Sequence, residues 1–257
     1  MKSVVLVDKP AGMTSFELTE KVAHIFGVSK AGHTGTLDPN VTGLMVIALD
    51  EARKAMPVLM GLEKEYAGRM LLHAEVPSAD LSAAVKKFTG DIIQKPPVKS
   101  RVARIERKRT IHSFMILKID KREVLFSVVC EAGTYIRKLI HDLGAHLGCG
   151  AQMTELRRTR VGPFSIGEAA TLNRLSQKCL IPLEQALERT GLKKITIPDT
   201  LLQKARNGVP MQENQLIKKD ANIDDGMVIG IYDTSGNIIA LGKKSGERIR
   251  IDRVLAQ

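Results

Sequence analysis

Between Gly32 and Gly43 the chain reads Gly-His-Thr-Gly-Thr-Leu-Asp-Pro-Asn-Val-Thr-Gly, and this segment restricts the fold more than any other. Glycines at 32, 35 and 43 admit backbone conformations closed to other residues and let a second backbone or a ligand approach, while Pro39 stiffens the turn behind Asp38. Such a segment is a tight loop that presents one side chain rigidly, and Asp38 is the side chain presented. An isolated Asp-Pro-Asn is most often only a turn whose carboxylate bonds its own backbone; the flanking sequence argues for more. A helix is predicted ahead of it, with Ser15 as N-cap and an end near Phe26, and a buried apolar strand follows from Leu44 to Leu49. The loop therefore joins a helix to a strand.

The same patterning organises the rest of the chain. Val4 to Val7 reads as a buried strand and Lys64 to His73 as another, after which Ser78 caps a helix through Phe88 and Pro96-Pro97 breaks the chain. Two strands follow near Ile111 to Ile119 and Val124 to Cys130. Ile136, Leu139, Ile140, Leu143 and Leu147 then recur at the spacing of one helical face, stopped by Gly148 and Gly150. Gly150 to Phe164 is extended again, and a helix from Leu183 to Arg189 ends at Gly191. From Lys193 the character changes to one short helix, Asp199 to Asn207, and short strands at Met227 to Tyr232, Ile238 to Lys243 and Arg248 to Val254. Residues 1–192 thus form a mixed α+β unit, and residues 193–257 a small β-rich one.

Charge narrows the function class. Lys and Arg number 39 against 28 Asp and Glu, a formal net charge of +11, which points to a polyanionic partner, nucleic acid ahead of a membrane surface because no basic amphipathic helix stands out. Cys130, Cys149 and Cys179 are too widely spaced for a Cys-x-x-Cys metal site, so a reduced, cytoplasmic protein without bound metal is expected. Neither a targeting segment nor a run of about 20 apolar residues is present, so no membrane contact is expected. Lys99, Arg101, Arg104, Arg107, Lys108 and Arg109 set six cations against Glu106 alone, and Arg157, Arg158 and Arg160 add three more; such runs are usually solvated faces, and beside a catalytic loop they suit an RNA track. Arg137 falls in the first turn of a predicted helix, where the dipole disfavours a cation unless an anion compensates; Asp38 or an RNA phosphate is a candidate anion.

Read together, these segments match a known family. Lys9-Pro10, the Gly-x-x-Gly-Thr-Leu-Asp-Pro-x-x-Thr-Gly loop, Lys64-Glu65-Tyr66, Gln94-x-Pro96-Pro97-x-x-Ser100, Cys130-Glu131-Ala132-Gly133-Thr134-Tyr135-Ile136-Arg137 and Leu156-Arg157-Arg158-Thr159-Arg160 occur in family order. Jointly they resemble the TruB-type pseudouridine synthases over about residues 4 to 190, and within that family the dyskerin branch, the catalytic subunit of archaeal and eukaryotic box H/ACA ribonucleoproteins. The tail looks like a PUA domain, with Gly208-Val209-Pro210, Ala240-Leu241-Gly242 and Ile251-Asp252-Arg253-Val254 as its cues. It departs from the branch in lacking a segment between Lys244 and Arg248.

The resemblance implies a pseudouridine synthase fold, a mixed and largely antiparallel sheet flanked by helices, and a reaction needing no cofactor. Asp38, Tyr66 and Arg137 match the family's catalytic aspartate, its active-site tyrosine and the arginine partner of the aspartate. His33, Leu156, Lys9 and Arg158 match its substrate side: His33 the residue that fills the space of a flipped nucleotide, Leu156 the apolar wall, Lys9 with Pro10 the support of the loop. As to partners, it implies RNA, with an H/ACA guide RNA, a small Nop-type subunit, a Gar-type subunit and a kink-turn-binding protein. Three readings are kept: an RNA-guided enzyme acting on rRNA, a stand-alone enzyme acting on the T-loop uridine of tRNA, and a non-catalytic RNA scaffold.

Overall fold

A computed structural model describes residues 1–96 and 103–255. In chain order its elements are β1 (Lys2–Lys9), α1 (Ser15–Phe26), β2 (Ala31–His33), β3 (Thr42–Asp50), α2 (Met56–Gly61), β4 (Lys64–Leu72), α3 (Ser78–Lys87), β5 (Gly90–Gln94), β6 (Arg107–Asp120), β7 (Glu123–Cys130), α4 (Ile136–His146), β8 (Ala151–Val161), β9 (Phe164–Ser165), β10 (Leu180–Pro182) and α5 (Leu183–Arg189). A second group follows: β11 (Lys193–Thr196), α6 (Asp199–Arg206), β12 (Met211–Gln212), β13 (Lys218–Lys219), β14 (Val228–Tyr232), β15 (Ile238–Ser245) and β16 (Arg248–Val254).

The first group builds one sheet in the order β10-β1-β3-β8-β4-β7-β6-β5, with β2 added on β3 and β9 on β8. Every pairing is antiparallel except β3 with β8, which run parallel through Thr42↔Arg157 and Gly43↔Arg158. Two antiparallel halves are therefore stitched together at Gly43. Its φ is +108°, and a Cβ there would stand 2.2 Å from the Arg158 carbonyl oxygen. Only glycine lets the two strands meet. Gly43→Ala is expected to cost about 3 kcal/mol or more, read as a lowered denaturation midpoint of the whole chain.

The continuous apolar run of β3 follows from its place in the sheet, because both of its faces are covered. Met45, Ile47 and Leu49 join Val5 and Val7 of β1 in a core shared with α1, α3 and α4. Leu44, Val46 and Ala48 point the other way, into a core with Val4, Leu6 and the α5 residues Leu183, Ala186 and Leu187. Tyr232, Ile238, Leu241 and Leu255 of the second group pack into that same core. The second sheet, ordered β12-β16-β15-β14-β11-β13, closes its own core over α6 with Ile195, Leu201, Ile229 and Ile249.

Several expectations need correction. Thr14, not Ser15, caps α1: its hydroxyl accepts from the Glu17 backbone while Glu17 reaches back to the Thr14 backbone, a capping box. Ser15 is freed for another task, described below. Pro77 occupies the N-cap position of α3, so Ser78 does not cap it. The loop of Asp38 does not run straight from helix to strand, since the short strand β2 folds back on β3 first. Short strands β5, β9, β10, β12 and β13 were not legible as separate elements; each holds only two to five residues. Pro97, Lys99, Ser100 and Arg101 lie outside the described residues.

Candidate active site

Asp38 sits on the loop between β2 and β3, directly before the Gly43 stitch. The loop is held by its backbone. Ser15 Oγ donates to the Leu37 carbonyl at 2.9 Å and accepts from the Leu37 amide at 2.8 Å, pinning the residue before Asp38 to the start of α1. Gly12 donates its amide to the Pro39 carbonyl at 3.0 Å, and the Asp38 carbonyl accepts from Val41. Leu37 and Val41 are buried as anchors on either side. Lys9, with no solvent exposure at all, crosses beneath and donates from Nζ to three carbonyls: Met13 at 2.6 Å, Pro10 at 2.8 Å and Pro39 at 3.0 Å. Burial lowers its pKa, and the Asp38 and Glu17 charges pull the other way. The loop is thereby fixed while its carboxylate stays open, 53% exposed.

Arg137 meets that carboxylate. Its Nη2 donates to Asp38 Oδ2 at 2.6 Å across 99 residues of sequence. The arginine reaches it because α4 starts at a fixed point: the buried Gln94 side chain accepts from the Tyr135 amide at 2.9 Å and donates to the Tyr135 carbonyl at 3.1 Å, one residue before the helix. The anion that relieves a cation in the first helical turn is thus Asp38. With the arginine 64% exposed, the pair contributes under about 1 kcal/mol to stability, so its consequence is orientation.

Arg158 is where the structure departs most from expectation. Read from the charge run as a substrate-side residue on an RNA track, it is 1% exposed and fully engaged by protein. Its Nε donates to the Leu44 carbonyl at 2.7 Å and its Nη2 to the Gly35 carbonyl at 3.0 Å, tying β8 to β3 and to the loop. Arg157 and Arg160 are more open but have acidic partners: Arg157 forms a bidentate pair with Asp8 at 3.0 and 2.7 Å, and Arg160 bridges Glu63 and Glu65. These three cations brace the sheet, because acidic partners distant in sequence fold against two of them and carbonyls against the third. Lys108 and Arg109 also find acids, Asp91 and Glu131.

Tyr66 lies on β4, in register with Arg158 of β8 and Val128 of β7. It is buried, which raises its pKa, while the Arg158 charge beside it works the other way. Arg158 therefore joins Tyr66 to the loop through Gly35. Leu156, half-buried, stands opposite Gly68 on the same strand pair; a Cβ at Gly68 would come within 3.0 Å of its Cδ1, so the glycine makes room for it. His33 ends β2 at the other base of the loop, its Nδ1 buried without a hydrogen-bond partner. Burial lowers the His33 pKa, opposed by a hydrogen bond to the residue's own backbone and helped by the Arg158 charge, which favours the neutral ring. Two residues of the site were missed as such. Ser15 was read as a cap, and Gln94 was seen only as part of a motif.

Two family models cover this architecture. The N-terminal domain of TruB family pseudouridylate synthase matches residues 23–136, which hold Asp38 and Tyr66, and the tRNA pseudouridylate synthase B C-terminal domain matches residues 137–201, which hold Arg137, Leu156 and Arg158. The chain belongs to the TruB family. It is 43% identical over 94% of its length to the probable tRNA pseudouridine synthase B of Methanopyrus kandleri, covering 75% of that protein, and 41% identical over 93% to that of Pyrococcus abyssi, covering 76%. Among solved structures it is similar to a Cbf5-Nop10-Gar1 complex, with a TM-score of 0.88 and 36% identity over 99% of this chain and 85% of the other. An H/ACA RNP bound to a substrate RNA containing 2′-deoxyuridine gives 0.85 and 34%, over 100% and 86%. As a TruB-type enzyme the chain is a pseudouridine synthase. The resemblance read from the sequence is thereby shown, fold and dyskerin branch included.

Proposed function

We propose that this chain converts uridine to pseudouridine in RNA as the catalytic subunit of a guide-RNA particle, with Asp38, Tyr66 and Arg137 as its reacting set. The reaction breaks the bond from uracil N1 to ribose C1′, turns the base, joins C5 to C1′, and moves the C5 proton so that N1 carries one. Asp38 is the open, oriented carboxylate that acts at the glycosidic bond, as nucleophile or as stabiliser of the cleavage. Arg137 fixes its direction. Tyr66 stacks on the base and takes the C5 proton, and Leu156 supplies the apolar wall of the pocket. The target nucleotide enters by flipping, at a cost of a few kcal/mol that pocket and backbone contacts offset, and the neutral His33 ring lies at the loop's base to fill the space left behind.

The observation that carries the guided reading is the near-complete structural match to Cbf5 held with Nop10 and Gar1. By the same chemistry, RNA and small subunits of those types, with a kink-turn-binding protein, are the proposed partners. A second reading, stand-alone action on tRNA, is favoured by the relatives named as tRNA pseudouridine synthase B. The test is pseudouridine formation by the purified chain on a tRNA transcript alone and on an rRNA fragment with guide RNA and partner proteins. Activity only in the guided reaction supports the first reading; activity on bare tRNA alone replaces it with the second. RNA binding without activity in either would leave a scaffold.

A further inference from the structure

Of the six phenylalanines, five are buried or part-buried and Phe16 alone is open, at 69% exposure. It stands in the first turn of α1, where a polar residue would serve the helix equally well, so packing gives no reason for it. Its place does. Ser15, the residue before it, holds both backbone groups of Leu37, the residue before Asp38, and bond lengths along that path keep the Cα atoms of Phe16 and Asp38 within about 15 Å of each other. Phe16 walls a shallow cavity of about 280 Å³ together with Glu20 of α1, Ala31, Gly32 and His33 of β2, and Met56 of α2. The cavity thus opens at the base of the loop that carries Asp38, and its apolar walls are Phe16, Ala31 and Met56. A cation lies against one of its lining residues: a Cβ on Gly32 would meet Arg53 Cγ at 3.6 Å and Nε at 3.9 Å, so the bare glycine lets the arginine lie close to β2. Lys54 beside it is taken by Glu51, whereas Arg53 forms no ion pair among the described residues.

An open aromatic face, a cavity with room for one base and an unpaired guanidinium are what a single nucleotide asks for: stacking for the base and a planar donor for the phosphate. Glu20 sets the direction, since its carboxylate repels a phosphate at the α1 end and leaves the Arg53 side for the RNA backbone. We infer that Phe16 and Arg53 form a subsite for a nucleotide adjoining the target uridine in the substrate RNA, Phe16 stacking on its base and Arg53 contacting its phosphate. The inference rests on the RNA substrate proposed above. A uridine turned into the pocket leaves its neighbour short of a stacking partner, and Phe16 supplies another. The subsite thereby offsets part of the flipping cost from outside the reacting set.

The test is crosslinking and binding on the tRNA transcript or the guided rRNA fragment, whichever the wild type holds more tightly, with 5-iodouridine placed on either side of the target in turn. Irradiation is expected to join one of these positions to Phe16, and the crosslink should vanish in Phe16→Leu, which keeps an apolar side chain and removes the ring. The Kd of Phe16→Leu should rise about tenfold or more and that of Phe16→Tyr should stay within about twofold of wild type, with both melting temperatures unchanged to within about 2 °C. Arg53→Gln should weaken binding severalfold at low salt and flatten the dependence of log Kd on log salt by about one. Absence of the Phe16 crosslink, or wild-type RNA affinity in Phe16→Leu, overturns the subsite. Loss of a protein subunit from Phe16→Leu with its RNA contact unchanged overturns it in favour of a protein-docking face. Neither readout needs turnover, so a chain that bound RNA without forming pseudouridine would fail the proposed activity and leave this test standing, which keeps the two failures apart.

Discussion

Asp38→Asn is expected to lower pseudouridine formation by about a thousandfold or more while leaving the fold and RNA binding intact. The carboxamide has nearly the shape of the carboxylate, so the loop has no cause to move. Its anchors all hold the loop's backbone, from Ser15 Oγ to Leu37, from the Gly12 amide and Lys9 Nζ to Pro39, and from Val41 to the Asp38 carbonyl, and none involves the Asp38 side chain. What is lost is the negative charge, and with it the charge-assisted bond from Arg137. Because that pair is largely exposed, its contribution to stability is under about 1 kcal/mol and the melting temperature should shift by no more than about 2 °C. Assaying product by mass spectrometry beside a thermal melt separates the two effects. An active Asp38→Asn would take the carboxylate out of the chemistry, and a large fall in melting temperature would mean that it acts as a structural clamp.

How far such an assignment could be read from sequence depended on the kind of information each residue carries. The Asp38 loop was legible because glycine and proline limit backbone geometry locally, whatever the rest of the chain does. The α4 stripe from Ile136 to Leu143 was legible because one face of a helix repeats, and all four of its residues are in the core. Arg137 followed from both, since a cation in a first helical turn asks for an anion. The burial of Arg158 and the acids that pair with Arg157 and Arg160 were not legible for the complementary reason: a run of charges shows residue type, and which partners it meets depends on which strands pair with it. The parallel join of β3 to β8 decides that, and a contact between strands more than 100 residues apart leaves no local trace. Thr14 and Ser15 exchanged roles on a similarly long-range contact, because the hydroxyl of Ser15 is taken by Leu37. Gly43 shows the two kinds of information meeting. Its presence in the loop was plain, but the reason for it, the backbone of Arg158, was visible only in the fold.

Lys9→Met is expected to act in the opposite way to Asp38→Asn, losing stability and activity together. Methionine fills much of the lysine's volume, so packing changes little, but three part-buried carbonyls lose the donor that the buried Lys9 supplies. A fully buried acceptor left unsatisfied costs about 1–3 kcal/mol, and because these three are only part-buried and the loop can relax toward water, the expected total is about 2–3 kcal/mol. Relaxation is itself the route to lost activity. Pro39 follows Asp38 directly, and its carbonyl is one of the three, so a loop that swings out to hydrate that oxygen carries the carboxylate away from Arg137. The same swing opposes the Ser15 and Gly12 bonds, which hold the loop from the other side. A denaturant titration in parallel with the product assay tests this. Unchanged stability with activity lost would give Lys9 a direct part in the reaction, and unchanged activity with stability lost would show that Ser15 and Gly12 suffice to hold Asp38 in place.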